Sequence, residues 1–184
     1  MRLETERLIL RDWEPKDIDD IVDGLNDFDV AKWLASPPYP YTKEMAKKWI
    51  DFCMDNSQNG DRRTSYHFAI ELRAENKVIG GTSLANIDRF HGTSSGGGIW
   101  LNAKYHGKGY GAEAFGKTIE FAFDNIGLRR IENGFFEGND ASSRMQEKFG
   151  YKVEGLRRKR YMCMADGNLE DEYITGLLKE EWRK

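Results

Sequence analysis

The sequence predicts a mixed α/β (α+β) fold, organised as a single domain over residues 1–184. Three observations predict this fold. Apolar residues alternate from Tyr66 to Leu72, a glycine-rich turn separates a strand from a helix within residues 98–125, and 184 residues suffice for one buried core. With 39% hydrophobic and 32% charged residues, the composition is typical of a globular protein and excludes disordered and fibrous classes.

The first half of the chain is predicted to combine strands with amphipathic helices. Pro15 suits the first turn of a helix, and Thr42 is expected to cap another helix after a proline-rich loop at 36–40. The second helix carries an apolar stripe that we expect to be buried, formed by Met45, Trp49, Phe52 and Cys53. The expected bounds are strands at 3–11, 66–72 (with one buried face) and 78–87, and helices at 16–25, 30–35 and from 43 onwards.

The second half is predicted to alternate strands and helices after a polar loop at Arg89–Ser95. The three glycines Gly96–Gly98 are unusual at the start of a strand, and they predict either a bulge or a close backbone approach by a ligand. Gly150 is expected to end a helix as its C-cap. The expected bounds are strands at 96–101, 130–136, 151–164 and 172–178, and helices from the glycine-rich turn to about 125 and at 139–149.

The segment His106–Ala112 carries the strongest functional signal. Its glycines allow positive φ angles and close approach of the backbone to a ligand, and the helix that follows presents unpaired N–H groups. Together these features predict an anion site of the kind that binds phosphate, to which Lys108 adds a positive charge. A tight glycine turn without a ligand is the alternative.

The spacing Gly107-x-Gly109-x-x-Ala112 also fits a dinucleotide fingerprint, which would indicate a nicotinamide-dependent oxidoreductase. That fingerprint normally stands near the start of repeated βα units. Here it lies past the middle of the chain, so the topology disfavours this alternative. A Walker A site is excluded because no Gly-Lys-Ser/Thr sequence occurs.

Four segments in order carry a resemblance to a known family. Residues Trp100–Ala114 resemble the coenzyme-A-binding motif of GNAT acetyltransferases, usually Q/R-x-x-G-x-G/A, and Asn139–Tyr151 is similar to the family's second motif. Leu3–Arg11 and Asp171–Trp182 resemble the ends of the RimJ/RimL-like branch. The resemblance covers nearly the whole chain and implies the GNAT acyl-CoA N-acyltransferase fold, a strongly bent, mixed and mostly antiparallel sheet flanked by helices and splayed beside Leu101.

The resemblance also implies acetyl-CoA as cosubstrate and no metal. The pantetheine arm is expected on the edge of the strand ending at Leu101, and the pyrophosphate on backbone N–H groups of the turn. The implied cofactor-binding residues are Trp100, Leu101, His106, Gly107, Lys108, Gly109, Tyr110, Gly111, Ala112 and Asn139. Two positions depart from the family pattern: His106 replaces Gln or Arg, and Gly96–Gly98 stand where many relatives carry an acidic residue. The second departure leaves the general base unassigned.

The expected function is transfer of an acetyl group to a primary amine, with a protein N-terminal α-amine favoured, by direct attack in a ternary complex. A backbone N–H near Trp100 or Leu101 is expected to stabilise the thioester oxygen. Ser142 matches the family position that protonates the leaving thiolate, although a serine in a first helical turn is also a common local cap. Tyr151 is expected to be a packing residue, and Glu137 is a weak candidate for the base.

Two other functions remain open: a small-molecule acetyltransferase acting on an antibiotic, amino acid or polyamine, and a CoA-binding module without catalysis. The net charge of -3 does not indicate a nucleic-acid partner. The basic run Arg157–Arg160 is interpreted as a solvated edge strand rather than a phosphate or RNA patch.

The remaining expectations concern location and assembly. Cys53 and Cys163 are expected to be separate reduced thiols, and the three histidines suggest no zinc set. No signal peptide or membrane span is expected, so the predicted location is cytoplasmic. No residue pattern specifies a homodimer, which is left open.

Overall fold

The computed structural model describes residues 1–183, apart from the side chain of Asp61. It contains nine strands and five α-helices in these described residues. The strands are β1 Arg2–Glu4, β2 Leu8–Asp12, β3 Tyr66–Leu72, β4 Lys77–Leu84, β5 Thr93–Ser95, β6 Gly97–Leu101, β7 Arg130–Phe136, β8 Lys152–Met162 and β9 Leu169–Leu178. The helices are α1 Ile18–Leu25, α2 Phe28–Ala31, α3 Lys43–Ser57, α4 Tyr110–Glu120 and α5 Asp140–Phe149. None of them is long and apolar enough to cross a bilayer.

The strands form two sheets that separate at β6 and β7. The first sheet has the order β1-β2-β3-β4-β6 and is antiparallel throughout. The second has the order β5-β7-β9-β8, in which only the β5–β7 pair is parallel. The predicted mixed, mostly antiparallel sheet flanked by helices is therefore confirmed.

The separation occurs at the glycine run. β5 pairs with β7 up to Ser95 and Glu132, and the N–H of Gly96 still donates to the carbonyl of Glu132 at 3.2 Å. After Gly96 the chain leaves β7 and joins β4 as β6. A Cβ added to Gly97, whose φ is 112°, would lie 2.3 Å from the carbonyl oxygen of Ser83. The close approach at Gly97 is thus made by the backbone of the neighbouring strand β4, and the approach by a ligand that the glycines predicted stays a prediction.

Apolar side chains bury both faces of the first sheet. One cluster joins β2, β3 and β4 to α4 and contains Phe68, Ile70, Phe115 and Ile119. The other places α1 and α3 against the opposite face, around Trp13, Ile21 and Ile50. The prediction of one buried face for β3 was wrong, because helices cover the strand on both sides and only His67 is partly exposed.

Several predicted bounds also differ. Residues 3–11 form a hairpin instead of one strand, because the Thr5 hydroxyl accepts from the Leu8 N–H at 2.9 Å and turns the chain. The helix predicted at 30–35 begins at Phe28, after an Asp27 cap, and the predicted loop at 89–95 contains β5. In α3 the buried positions are Ala46, Ile50 and Cys53, so Met45 and Phe52 are exposed.

Other expectations are confirmed. Pro15 stands in the first turn of a short 3-10 helix before α1, and the Thr42 hydroxyl caps α3 by accepting from the Met45 N–H. Gly150 ends α5 in the left-handed conformation. Both cysteines are buried and unpaired, and β8 is an edge strand on which Arg157–Arg160 are exposed.

Candidate active site

A cavity of about 990 Å³ occupies the space between β6 and β7. One wall consists of β6 and the turn that leads into α4. The other consists of β7, the start of α5 and the inward residues of β8 and β9, and the segment Asp29–Ser36 lies at the mouth. The lining residues that carry the chemistry discussed below are Trp100, Leu101, His106, Gly107, Gly109, Gly111, Ala112, Asn139, Ser142, Gln146, Arg157, Arg160 and Glu172.

The glycine-rich turn presents backbone donors to this cavity. Gly109 is the N-cap of α4 and has a φ of 82°, a left-handed conformation that strains residues with a side chain. No described side chain caps this helix end. The first amides of α4, at Tyr110, Gly111 and Ala112, therefore lack intrahelical acceptors and can donate to an anion.

A polar network connects the same turn to the N-terminal hairpin. Arg7 donates from Nη1 to the carbonyl of Lys108 at 3.0 Å and from Nε to Glu113 at 2.7 Å. Thr5 donates to the other oxygen of Glu113 at 2.6 Å. Burial raises the pKa of Glu113, but the hydrogen bonds from Thr5 and Arg7 outweigh it and hold the pKa below its usual value. These residues position the turn. Their contact could not be predicted from the sequence, because residues 3–11 have the pattern of one strand.

His106 ties the turn to the end of β6. Its Nε2 lies 2.8 Å from the carbonyl oxygen of Leu101, and since a carbonyl only accepts, Nε2 carries the proton. The indole of Trp100 packs away from the cavity, so close to Gly24 that a Cβ there would lie 2.5 Å from Cζ3. Leu101 belongs to the main apolar cluster. β6 consequently offers its backbone edge, rather than its large side chains, to the cavity.

Eight of the ten predicted cofactor-binding residues line the cavity, and two do not. Lys108 places its Nζ 5.3 Å from the ring of Tyr105, and the ring of Tyr110 stacks under the Arg7 guanidinium at 4.5 Å. Both side chains thus pack on the outside of the turn. Only the backbone of these two residues faces the predicted phosphate position, and the role of the whole set remains a prediction.

Ser142 has a hydroxyl proton available for the cavity. The Gln146 Nε2 donates to Ser142 Oγ at 3.1 Å and to the carbonyl of Gly134 at 3.3 Å, while Gln146 Oε1 accepts from Thr175 at 2.5 Å. Because the Gly134 carbonyl can only accept, the amide orientation of Gln146 is fixed and Ser142 is the acceptor in that contact. The helix cap is Asn139, whose Oδ1 accepts from the Ser142 N–H at 3.1 Å. The alternative in which Ser142 is a local cap is therefore wrong.

Glu172 is the acidic residue that sequence reasoning missed. It lies on β9 with a side chain 14% exposed, and its Oε1 would be 2.5 Å from a Cβ added to Gly134 on β7. Arg157 donates to its other oxygen at 3.3 Å. The absence of a side chain at Gly134 lets the carboxylate reach across β7 into the cavity. The proximity of Glu172 to Gly134 can be inferred only when the register between β7 and β9 is known.

The two other candidates for catalysis have different surroundings. Glu137 is exposed, accepts from the Tyr173 hydroxyl at 3.3 Å and does not line the cavity. Tyr151 stacks on Phe115 with ring centroids 5.9 Å apart, and its burial raises the pKa of the phenol. Tyr151 is thus a packing residue. Among the described residues, no group of three or more His, Cys, Asp or Glu side chains could hold a metal ion.

Strands that part beside an uncapped helix N-terminus leave a cavity that fits a ligand bearing phosphate groups, with a hydroxyl and a carboxylate on the facing wall. The family model of the acetyltransferase (GNAT) domain matches residues 7–152. The chain belongs to the GNAT family and is an N-acetyltransferase. Over 184 residues it is 32% identical to the uncharacterized N-acetyltransferase YnaD of Bacillus subtilis, covering 99% of each chain.

Solved structures agree with this assignment. A GNAT-family acetyltransferase from Bacillus anthracis superimposes with a TM-score of 0.82 at 28% identity, covering 98% of this chain and all of the other. The same fold occurs in a ribosomal-protein-S5-alanine acetyltransferase of Vibrio fischeri, with a TM-score of 0.82 at 23% identity over the full length of both chains. It also occurs in a spermidine N-acetyltransferase of Vibrio cholerae in complex with CoA and spermine, with a TM-score of 0.77 at 19% identity, over 96% and 98% of the two chains.

Proposed function

We propose that the protein binds acetyl-CoA between β6 and β7 and transfers its acetyl group to a free α-amine, such as a protein N-terminus, by direct attack in a ternary complex. The observation that carries the proposal is the parting of β6 from β7 beside the uncapped N-terminus of α4. This geometry leaves space and amide donors for an elongated ligand that carries phosphates.

The turn residues fit a pyrophosphate because a side chain is missing where the ligand would approach. Gly107 has a φ of 72° and nothing within 4 Å of an added Cβ, and Gly109 has the left-handed conformation already described. The amides of Gly111 and Ala112 can donate to a pyrophosphate, and Arg7 holds the loop in place through the carbonyl of Lys108. Asn139, whose Oδ1 caps α5, lies on the facing wall of the cavity.

The edge of β6 supplies a further donor. The Asn102 N–H donates to Ile79 of β4, so alternation along the strand turns the N–H of Trp100 towards β4 and that of Leu101 away from it. The Leu101 carbonyl also points away from β4, towards His106. We therefore assign stabilisation of negative charge on the acyl oxygen to the Leu101 N–H.

Ser142 and Glu172 take the two proton-transfer roles. When bound, acetyl-CoA supplies the thioester from which the acetyl group leaves. The Ser142 hydroxyl, oriented by Gln146, donates its proton at the sulfur position and regains one from solvent, while the Glu172 carboxylate accepts the proton of the attacking amine and releases it to solvent. Both side chains line the same cavity, which is the geometric requirement for this pairing.

A single carboxylate suits an α-amine better than a lysine. A free α-ammonium group has a pKa of about 7.7–8.0 and a lysine about 10.4, so at neutral pH the neutral fraction of the α-amine is roughly 10²-fold larger. A carboxylate is a weak base, and that of Glu172 already accepts a hydrogen bond from Arg157. The acceptor amine must therefore already be largely neutral when it binds, so that it can attack without a strong base.

The proposal is tested by incubating the protein with acetyl-CoA and two peptides, followed by mass spectrometry. One peptide has a free N-terminus and no lysine, and the other has a blocked N-terminus and one lysine. We expect acetylation of the first at least ~10-fold faster than the second. In Glu172→Gln we expect kcat to fall about 10²-fold, the size typical of general-base removal.

The matched control is Glu170→Gln, on the same strand but outside the cavity lining, which should retain the normal rate. Faster acetylation of the lysine peptide would contradict the α-amine assignment. CoA binding without any turnover would instead support the alternative of a non-catalytic module.

A further inference from the structure

The edge strand β8 contains a bulge that faces the cavity. Arg157 pairs with Glu172 of β9, but the next pair is Tyr161 with Glu170. Three residues of β8, 158–160, therefore lie opposite the single residue Asp171. Bulges of this kind re-aim side chains and are frequent beside active sites.

The bulge is held in place by a specific contact. Lys159 has a φ of 48°, in the left-handed region that non-glycine residues rarely adopt. Its N–H donates to Asp171 Oδ1 at 2.7 Å, and the carbonyl of Asp171 accepts from the Glu137 N–H at 2.9 Å. A hydrogen bond to Asp171 of β9, which is itself hydrogen-bonded to the end of β7, thus holds Lys159 in its strained conformation. The next residue, Arg160, lines the cavity.

Arg160 differs from the other charged side chains of the cavity. Asp29 pairs with Lys32, Glu132 with Arg130, and Arg157 with Glu172. Among the side chains that the structure describes, which exclude that of Asp61, no carboxylate lies within ion-pair distance of Arg160, whose guanidinium rests over the Tyr161 ring at 4.9 Å. A guanidinium that is stacked on an aromatic ring and otherwise unpaired is well placed to bind a carboxylate of a ligand.

We propose that Arg160 selects acceptor peptides that carry an acidic side chain close to the reactive α-amine. This inference rests on the proposed transfer to an α-amine at Glu172. Tyr161, the neighbour of Arg160, pairs two residues away from Glu172 along β9, which places these strand positions roughly 7 Å apart. One residue of extended chain spans at most about 3.6 Å, so a peptide whose first residue lies at Glu172 can bring an Asp or Glu at its second position towards Arg160.

The test compares kcat/KM for three peptides that differ only at their second residue, which is Glu, Gln or Lys. In the wild-type protein we expect the Glu peptide to be preferred about 10-fold over the Gln peptide, as for a charge-assisted hydrogen bond. The preference should shrink as salt is added. In Arg160→Glu the order should reverse, with the Lys peptide best and the Glu peptide worst.

The matched control is Arg158→Glu, which makes the same charge change in the same bulge at an exposed residue outside the cavity lining. It should keep the wild-type order. Equal effects of the two variants, or no preference in the wild type, would overturn the proposal, as would free glutamate being a better acceptor than the Glu peptide.

A second measurement separates this inference from the proposed function. If the wild-type protein acetylates none of the peptides, the transfer to an α-amine fails. Calorimetric titration of the Glu and Gln peptides into the CoA complex then decides the present inference. Tighter binding of the Glu peptide that is lost in Arg160→Glu supports it, and equal or absent binding overturns it.

Discussion

The two walls of the cavity are built in different ways. The wall formed by β6 and the turn before α4 presents mostly backbone: an open strand edge, glycines and the uncapped helix end. The wall formed by β7, α5, β8 and β9 presents side chains, among them Ser142, Arg160 and Glu172. We assign the first wall to the shared cosubstrate and the second to the chemistry and the acceptor.

This difference between the two walls explains how a family of enzymes can use one cosubstrate with different acceptors. The wall that presents backbone depends on glycines at a few positions. It tolerates changes such as His in place of Gln or Arg at residue 106, because the His106 side chain only holds the turn to β6. A side-chain wall changes with single substitutions or with a shift of register in β8. Substitutions on the two walls should therefore alter different kinetic constants.

The largest effect is expected from Gly109→Glu on the backbone wall. The new side chain would strain a residue with a φ of 82° and place a negative charge at the predicted pyrophosphate position. We expect calorimetry to detect no binding of CoA. Gly127→Glu is the matched control, because Gly127 also has a φ of 82° and lies at a helix end outside the cavity lining. Near-normal affinity in Gly109→Glu would mean that the turn does not bind the cosubstrate.

A smaller effect is expected from Ser142→Ala on the side-chain wall. Loss of the hydroxyl should lower kcat about 10-fold, since the leaving thiolate can still take a proton from water, while CoA affinity stays within about 2-fold. Ser143→Ala, the adjacent serine outside the cavity lining, serves as the control. Weaker CoA binding with an unchanged kcat in Ser142→Ala would contradict the assignment of the side-chain wall to the chemistry.

The same contrast explains which features could be predicted from the sequence. The glycine-rich turn and the helix start at Asn139 are local patterns, and the structure has both at the predicted place. Glu172, the Arg7–Glu113 contact and the Arg160 bulge depend on which strands pair and in what register. Burial or periodicity within one segment carries no information on such pairings.

The error at the N-terminus has the same physical cause. Leu3–Arg11 has the composition of one strand, yet a hydrogen bond from the Leu8 N–H to the Thr5 hydroxyl makes it a hairpin that reaches the cavity turn. The stripe expected in α3 is confirmed for Cys53 and Trp49, which belong to or pack against the apolar cluster, and is wrong for Met45 and Phe52, because it followed residue hydrophobicity alone. The small residue Ala46 is fully buried there, while Phe52 is 51% exposed.

The most direct test of the central claim is the melting temperature of the wild-type protein with acetyl-CoA, CoA or NAD at matched concentrations. A ligand that binds only the native state at about 100 times its Kd adds roughly 2.7 kcal/mol of stability, or about 5 °C or more for a chain of this size. We predict such a rise with acetyl-CoA and with CoA, and none with NAD. A rise with NAD alone, or no rise with any of the three, would contradict the assignment of the cavity to acetyl-CoA.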